Sequence, residues 1–141
     1  MRGQRDNSSK LFLTELMISI FFFSIITAFC VQLFSEAHSL SVRSEKLTHA
    51  VECAANVAEY YNGWDFENES WQKIFPQGSW KQDTWKMNLD ENWEPCKEDG
   101  KYILEMHLRE NGKLLEAHIM VKEEQSDVLY TLMTSRIHEV K

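Results

Sequence analysis

The first strong pattern in the chain is an uncharged apolar run, LMISIFFFSIITAFCVQLF, which covers residues 16–34. An α-helix of this length rises about 28 Å, enough to cross the hydrocarbon core of a bilayer. A removed secretory signal is the alternative, but its apolar core is shorter and ends in a small-residue cleavage site, which residues 31–34 do not offer. We therefore predict a retained transmembrane helix.

The helical period continues beyond the predicted transmembrane segment. Residues 35–61 contain neither proline nor glycine, and Asn62-Gly63 supplies a stop signal. An apolar stripe at helical spacing predicts which face is buried. Its members are Leu40, Leu47, Val51, Ala54, Ala58 and Tyr61. We predict one helix of about fifty residues, with a transmembrane half over 11–34 and an amphipathic half over 35–62.

After residue 101 the pattern changes to period two. Two alternating segments flank Asn111-Gly112, a dipeptide typical of a type I′ hairpin turn. That turn pairs Tyr102 with Val121 and Leu104 with Ile119, with the apolar side chains on one face. A third strand is predicted over 128–137. The fold class is therefore α+β, a long N-terminal helix packed on a small antiparallel β-sheet within 101–141.

The intervening residues 63–100 are predicted to be irregular, with a short helix over 68–74. This segment contains all five tryptophans: Trp64, Trp71, Trp80, Trp85 and Trp93. They form either an aromatic platform for a sugar or peptide, or a packing layer against the long helix. We favour packing, because each ring system buries about 150–250 Å².

The charges give the span an orientation. Arg2, Arg5 and Lys10 precede it, whereas Glu36 is the first charge after it. The positive-inside rule predicts a cytoplasmic leader over 1–10 and a single-pass protein with an extracytoplasmic C-terminal domain. Residues 35–141 carry twelve basic and twenty acidic side chains. This excess of negative charge argues against direct binding of nucleic acid.

Two cysteines, Cys53 and Cys96, follow the span and would both face an oxidising compartment. A disulfide between them would close a loop of about 43 residues and stabilise the domain by roughly 4 kcal/mol. The alternative is two free buried thiols. We predict the bridge, and we interpret Cys30 as a packing residue within the span.

The predicted hairpin register places His107 opposite Glu116 and Glu105 opposite His118, on the outer face. Two histidines and two carboxylates are a conceivable Zn²⁺ site. The alternative is a set of exposed cross-strand polar pairs, which we favour because a third histidine and supporting partners are missing. The sequence has no phosphate-binding glycine loop, nucleophile elbow or Cys-x-x-Cys motif. We predict no enzymatic activity, no cofactor and no small-molecule substrate.

The segment from Lys10 to Ile20, KLFLTELMISI, includes Leu13-Thr14-Glu15-Leu16. It resembles the N-terminal segment of type IV pilins and type II secretion pseudopilins. The resemblance implies leader cleavage between Lys10 and Leu11, and a Glu15 carboxylate that meets the N-terminal amine of a neighbouring subunit. The alternative is that Glu15 only marks the cytoplasmic edge of the span, within reach of water at the headgroups. The family has glycine before the cut where this chain has Lys10, and usually phenylalanine where it has Leu11.

The sequence thus predicts a pilin-like structural subunit, of the minor class, in a bacterial type IV pilus, type II secretion or competence-type envelope assembly. Its expected partners are the membrane and other pilin-like subunits or their machinery. The alternative is an independent single-span protein whose extracytoplasmic domain binds a wall or peptide ligand.

Overall fold

The computed structural model describes residues 2–137, with side chains from residue 7 onward. Residues 138–141 of the predicted sheet segment lie outside the described range. Two helices and six strands follow one another along the chain: α1 (Arg2–Gly63), α2 (Asn68–Ile74), β1 (Ser79–Lys81), β2 (Thr84–Leu89), β3 (Pro95–Cys96), β4 (Tyr102–Asn111), β5 (Leu114–Glu123) and β6 (Val128–Ile137). The α+β class is confirmed, with the long helix packed on an antiparallel sheet.

The chain divides into two compact units between Arg43 and Ser44. The described part of the first unit is entirely helical, and its apolar side chains from Leu11 to Phe34 are exposed. The second unit contains the last part of α1, the short helix α2 and the sheet. Its strands follow the order β1-β2-β4-β5-β6, with β3 pairing to β2, and every pairing is antiparallel.

Strands β1, β2 and β3 lie in the segment that was predicted to be irregular. In β2, the buried residues Trp85, Met87 and Leu89 alternate with more polar neighbours, as expected for a strand with one covered face. The strand is only six residues long, and polar turn residues lie on both sides of it. Its period-two signal is therefore short, and β1 and β3 are shorter still.

The β4–β5 hairpin exists, but its predicted register is wrong by two residues. Asn111 pairs with Leu114, so the loop is Gly112-Lys113. Gly112 has φ of 65°, and Lys113 is not among the positive-φ residues of the described chain. This arrangement fits a type II′ turn, which needs glycine at the first loop position only, whereas type I′ needs positive φ at both. A shift of two residues leaves every side chain on its predicted face.

The core of the second unit lies between α1 and one face of the sheet. The helix contributes mainly small side chains, which let it lie close to the strands: Ala50, Ala54, Val57, Ala58 and Tyr61 are buried. The sheet contributes Leu104, Met106, Ala117, Ile119 and Val121. Of the predicted stripe, Ala54, Ala58 and Tyr61 are correct, whereas Leu40, Leu47 and Val51 are exposed. The buried residues begin at Ala50, and Val51 is turned by about 100° from it around the helix axis.

Four of the tryptophans join into one cluster at the end of α1. The rings of Trp64, Trp71, Trp80 and Trp85 lie 5.0–5.9 Å apart, centre to centre, in a chain of tilted, stacked and edge-on contacts. Trp71 and Trp85 are almost completely buried. The cluster therefore acts as a packing layer, as the second interpretation of these residues predicts.

Candidate functional site

The N-terminal unit presents an apolar helical surface. Most large side chains between Leu11 and Phe34 are more than half exposed, and an 18-residue window of this helix has a mean hydropathy of 2.3. By length and composition the helix could cross a membrane. Glu15 is the only charged residue between Leu11 and Phe34.

Four hydroxyl side chains within this surface are satisfied by the helix itself. Thr14, Ser19, Ser24 and Thr27 each donate a hydrogen bond to the carbonyl oxygen four residues earlier, at 2.8–2.9 Å. Bonds of this kind leave few free polar groups on the helix surface. The hydroxyls are therefore compatible with an apolar environment, and Glu15 remains as the main polar feature.

The geometry of the helix separates Glu15 from Lys10. Five residues correspond to a rotation of about 140°, so the two side chains leave different faces, whereas Leu11 lies one turn before Glu15 on the same face. No ion pair involving Glu15 occurs among the side chains of residues 7–137. The predicted assembly residues Leu11 and Glu15 are thus adjacent, and Lys10 is not beside the carboxylate.

The histidine–glutamate group lies on the sheet face that points away from α1, but its pairing differs from the prediction. His107 is opposite His118, Glu105 is opposite Met120, and Glu116 is opposite Arg109. The two-residue shift of the hairpin is the cause.

Each histidine instead lies beside the glutamate two positions earlier on its own strand. The Nε2–Oε2 distances are 3.8 Å for His107–Glu105 and 3.7 Å for His118–Glu116. Lys122 Nζ lies 2.9 Å from Glu105 Oε2. Throughout the part of the chain whose side chains are described, no three potential metal ligands come together. These contacts form a polar outer surface on the sheet.

The predicted bridge between Cys53 and Cys96 is wrong, since both thiols are free. The sheet register explains why. Leu89 pairs with Pro95 and Asn88 pairs with Cys96. Because paired residues share a face and Leu89 is buried towards the helix, Cys96 lies on the opposite face. Cys53 packs against the core between helix and sheet, so the sheet itself separates the two thiols.

Comparisons with known proteins do not identify a family. No protein-family model matches the sequence, and no curated protein or solved structure is significantly similar to the chain.

Proposed function

We propose that this protein is a membrane-anchored, pilin-like structural subunit that assembles through lateral packing of its N-terminal helix. The observation that carries the proposal is the exposed apolar surface from Leu11 to Phe34, with Glu15 as its only charge. The arrangement of a long helix packed on a small antiparallel sheet is consistent with such a subunit. We place it, as a minor component, in a bacterial type IV pilus, type II secretion or competence-type assembly.

In this proposal the N-terminus is cytoplasmic and the sheet unit is extracytoplasmic. The positive charges before the span and the acidic Glu36 after it support this orientation. The role is structural rather than catalytic, and the partners are the helices of other pilin-like subunits.

Glu15 would form the specific contact between subunits. A carboxylate near lipid is costly unless a cation is close. Lys10 of the same chain leaves a different helix face, so the cation would come from a neighbour. With the leader removed, it would be the N-terminal amine at Leu11 of that neighbour. With the leader retained, it would be the neighbour's Lys10. The gain from pairing in a low dielectric is limited by desolvation of both charges.

The alternative of an aromatic ligand platform has less support. Trp64, Trp71 and Trp85 are buried in their own cluster and do not present ring faces for a sugar or peptide. The clustered tryptophans are therefore accounted for by packing.

Crosslinking in native membranes tests the assembly role. A photo-reactive residue at Phe22, an exposed position in the apolar surface, should crosslink the full-length protein to partner helices. We expect Glu15→Gln to insert normally but to lose most of these crosslinks, because the amide cannot neutralise a cation. Glu36→Gln is the matched control, since it removes a charge from the same helix outside the apolar run. Crosslinks at the wild-type level in Glu15→Gln would refute the pairing role.

A further inference from the structure

A groove of about 590 Å³ opens in the second unit between α1, α2 and the β2–β3 region. Its floor is apolar and includes Val57, Leu89 and Leu104. The size lies within the range of small-molecule sites, which bury a ligand against apolar walls and orient it with a few polar groups. The lining residues come from four parts of the chain that are distant in sequence, so the groove exists only in the folded unit.

Aromatic side chains form the walls of this groove. Tyr60, Phe75 and Trp93 all line it. The rings of Tyr60 and Phe75 meet edge to face at 5.4 Å. Trp93 is fixed by stacking on Tyr102, with ring centres 3.9 Å apart and planes 12° from parallel, and it also stacks on His49 at 5.5 Å. The parts of these ring faces that are not covered by such contacts attract cations.

The Trp93 wall is held in place by its loop. Its backbone has φ of 66°, a conformation that large side chains rarely adopt. The Asp90 carboxylate accepts hydrogen bonds from the backbone N–H groups of Asn92 and Glu94, at 2.8 and 3.0 Å. The N–H of Asp90 also donates to the carbonyl of Glu94 at 2.9 Å. The ring position is therefore set before any ligand arrives.

The groove has a negative charge and no lining cation. Glu59 is the only carboxylate among the lining residues, which include neither lysine nor arginine. The thiol of Cys53 also lines the groove, and burial raises its pKa, so it is neutral at pH 7. A ligand that matches this surface has a positive end and an apolar body.

We propose that this groove binds a small organic cation with an apolar group, whose ammonium lies against the aromatic walls and the Glu59 carboxylate. An anion would meet repulsion from Glu59, and a neutral apolar molecule would gain neither the carboxylate nor the cation–π attraction. This binding is independent of the proposed assembly of the N-terminal helix. The sequence-based expectation was that the protein has no small-molecule substrate, and the proposed ligand goes beyond it.

Cysteine protection provides a direct test on the full-length protein in dodecyl maltoside, a detergent without charge. The probe is benzyltrimethylammonium, with benzyl alcohol as the neutral control and benzoate as the anionic control. Alkylation by iodoacetamide is followed at each cysteine by peptide mapping. We expect saturating probe to slow alkylation of Cys53 several-fold and to leave Cys96 unchanged, because Cys96 lies on the other sheet face. Equal protection by benzyl alcohol, or no protection by any probe, would overturn the proposal.

Calorimetric titration then tests the role of the carboxylate. We expect Glu59→Gln to bind benzyltrimethylammonium about five- to tenfold more weakly, because it keeps the shape and removes the charge. Glu45→Gln is the control, since Glu45 is an exposed carboxylate on α1 that does not line the groove. An equal loss of affinity in both variants would show that only the net charge of the protein matters. The crosslinking assay of the Glu15 variants is unaffected by either result.

Discussion

The Tyr61 side chain connects α1 to the sheet within the second unit. Its ring is completely buried, and its hydroxyl donates a hydrogen bond to the Leu115 carbonyl at 2.8 Å, which links α1 to β5. Burial raises the pKa of the Tyr61 phenol, although the charge of Arg136 acts in the opposite direction. The folded protein therefore holds the proton of this phenol more firmly than the unfolded chain does.

We expect Tyr61→Phe to lower the free energy of unfolding at pH 7 by about 1 kcal/mol, since the buried Leu115 carbonyl loses its donor. Because the pKa of Tyr61 is raised on folding, the wild type loses stability as the pH rises above 10.0. The variant has no ionisable phenol at this position and does not lose stability in this way. The difference between the two proteins should therefore shrink at alkaline pH. Urea unfolding of the full-length protein in dodecyl maltoside, followed by tryptophan emission, measures it. Tyr60→Phe, at an exposed neighbour, should have little effect, and a constant difference from pH 7 to pH 11 would contradict the argument.

At the scale of elements, the β4–β5 hairpin shows that the sequence predicts the face of each side chain but not the register of the two strands. The alternation of residues in β4 and β5 was sufficient to assign their faces, because a side chain's face depends only on the period of two. The register depends on which two residues form the loop, and Asn-Gly-Lys permits both a type I′ turn at Asn111-Gly112 and a type II′ turn at Gly112-Lys113. The structure selects the second, and this choice brings His107 opposite His118.

Two substitutions distinguish these loops. We expect Gly112→Val to destabilise the second unit by about 1–3 kcal/mol, because a β-branched residue resists the positive φ. Asn111→Val should be tolerated, since Asn111 is an exposed strand residue in the observed register. In a type I′ turn at Asn111-Gly112, both positions need positive φ, and both variants would be destabilised. Urea unfolding under the same conditions measures the two variants, and equal losses would favour the type I′ loop.

The end of α1 is a second element that sequence patterns do not specify completely. Asn62-Gly63 correctly marks where the helix ends. The Tyr61 carbonyl accepts a hydrogen bond from the backbone N–H of Trp64 at 3.2 Å, and a further donor to this end of the helix lies on β6. Arg136 Nη1 donates to the carbonyl oxygens of Tyr61 and Trp64 at 2.8 and 2.6 Å. Carbonyl groups at a helix C-terminus have no partner within the helix, so a guanidinium from the sheet both satisfies them and joins the two elements. The separation of about 75 residues prevents prediction of this contact from local sequence.

For the whole molecule, local patterns predicted the two surfaces that pack together but not the features that depend on several distant segments. The helix period and the strand alternation sufficed for the α+β class. The position of Cys96 on the far face of the sheet depends on its pairing with Asn88 in a strand that the sequence did not reveal. The groove likewise depends on Trp93 and Glu59, which are distant in sequence, lining the same cavity in the folded unit. The proposed membrane topology is not subject to this limit, because it is predicted from the charges near a single apolar segment.

Labelling on one side of the membrane tests that topology. We expect Glu91→Cys, at an exposed position in the second unit, to react with a membrane-impermeable maleimide added outside spheroplasts. Arg5→Cys, before the apolar run, should react only after the membrane is permeabilised, because the positive-inside rule predicts a cytoplasmic leader. Both changes are made in a background in which Cys53 and Cys96, the two partly exposed thiols of the second unit, are replaced by alanine and serine respectively. Labelling of Arg5→Cys from outside would reverse the orientation. Release of an unlabelled second unit into the medium would indicate that the apolar run is a removed signal and not an anchor.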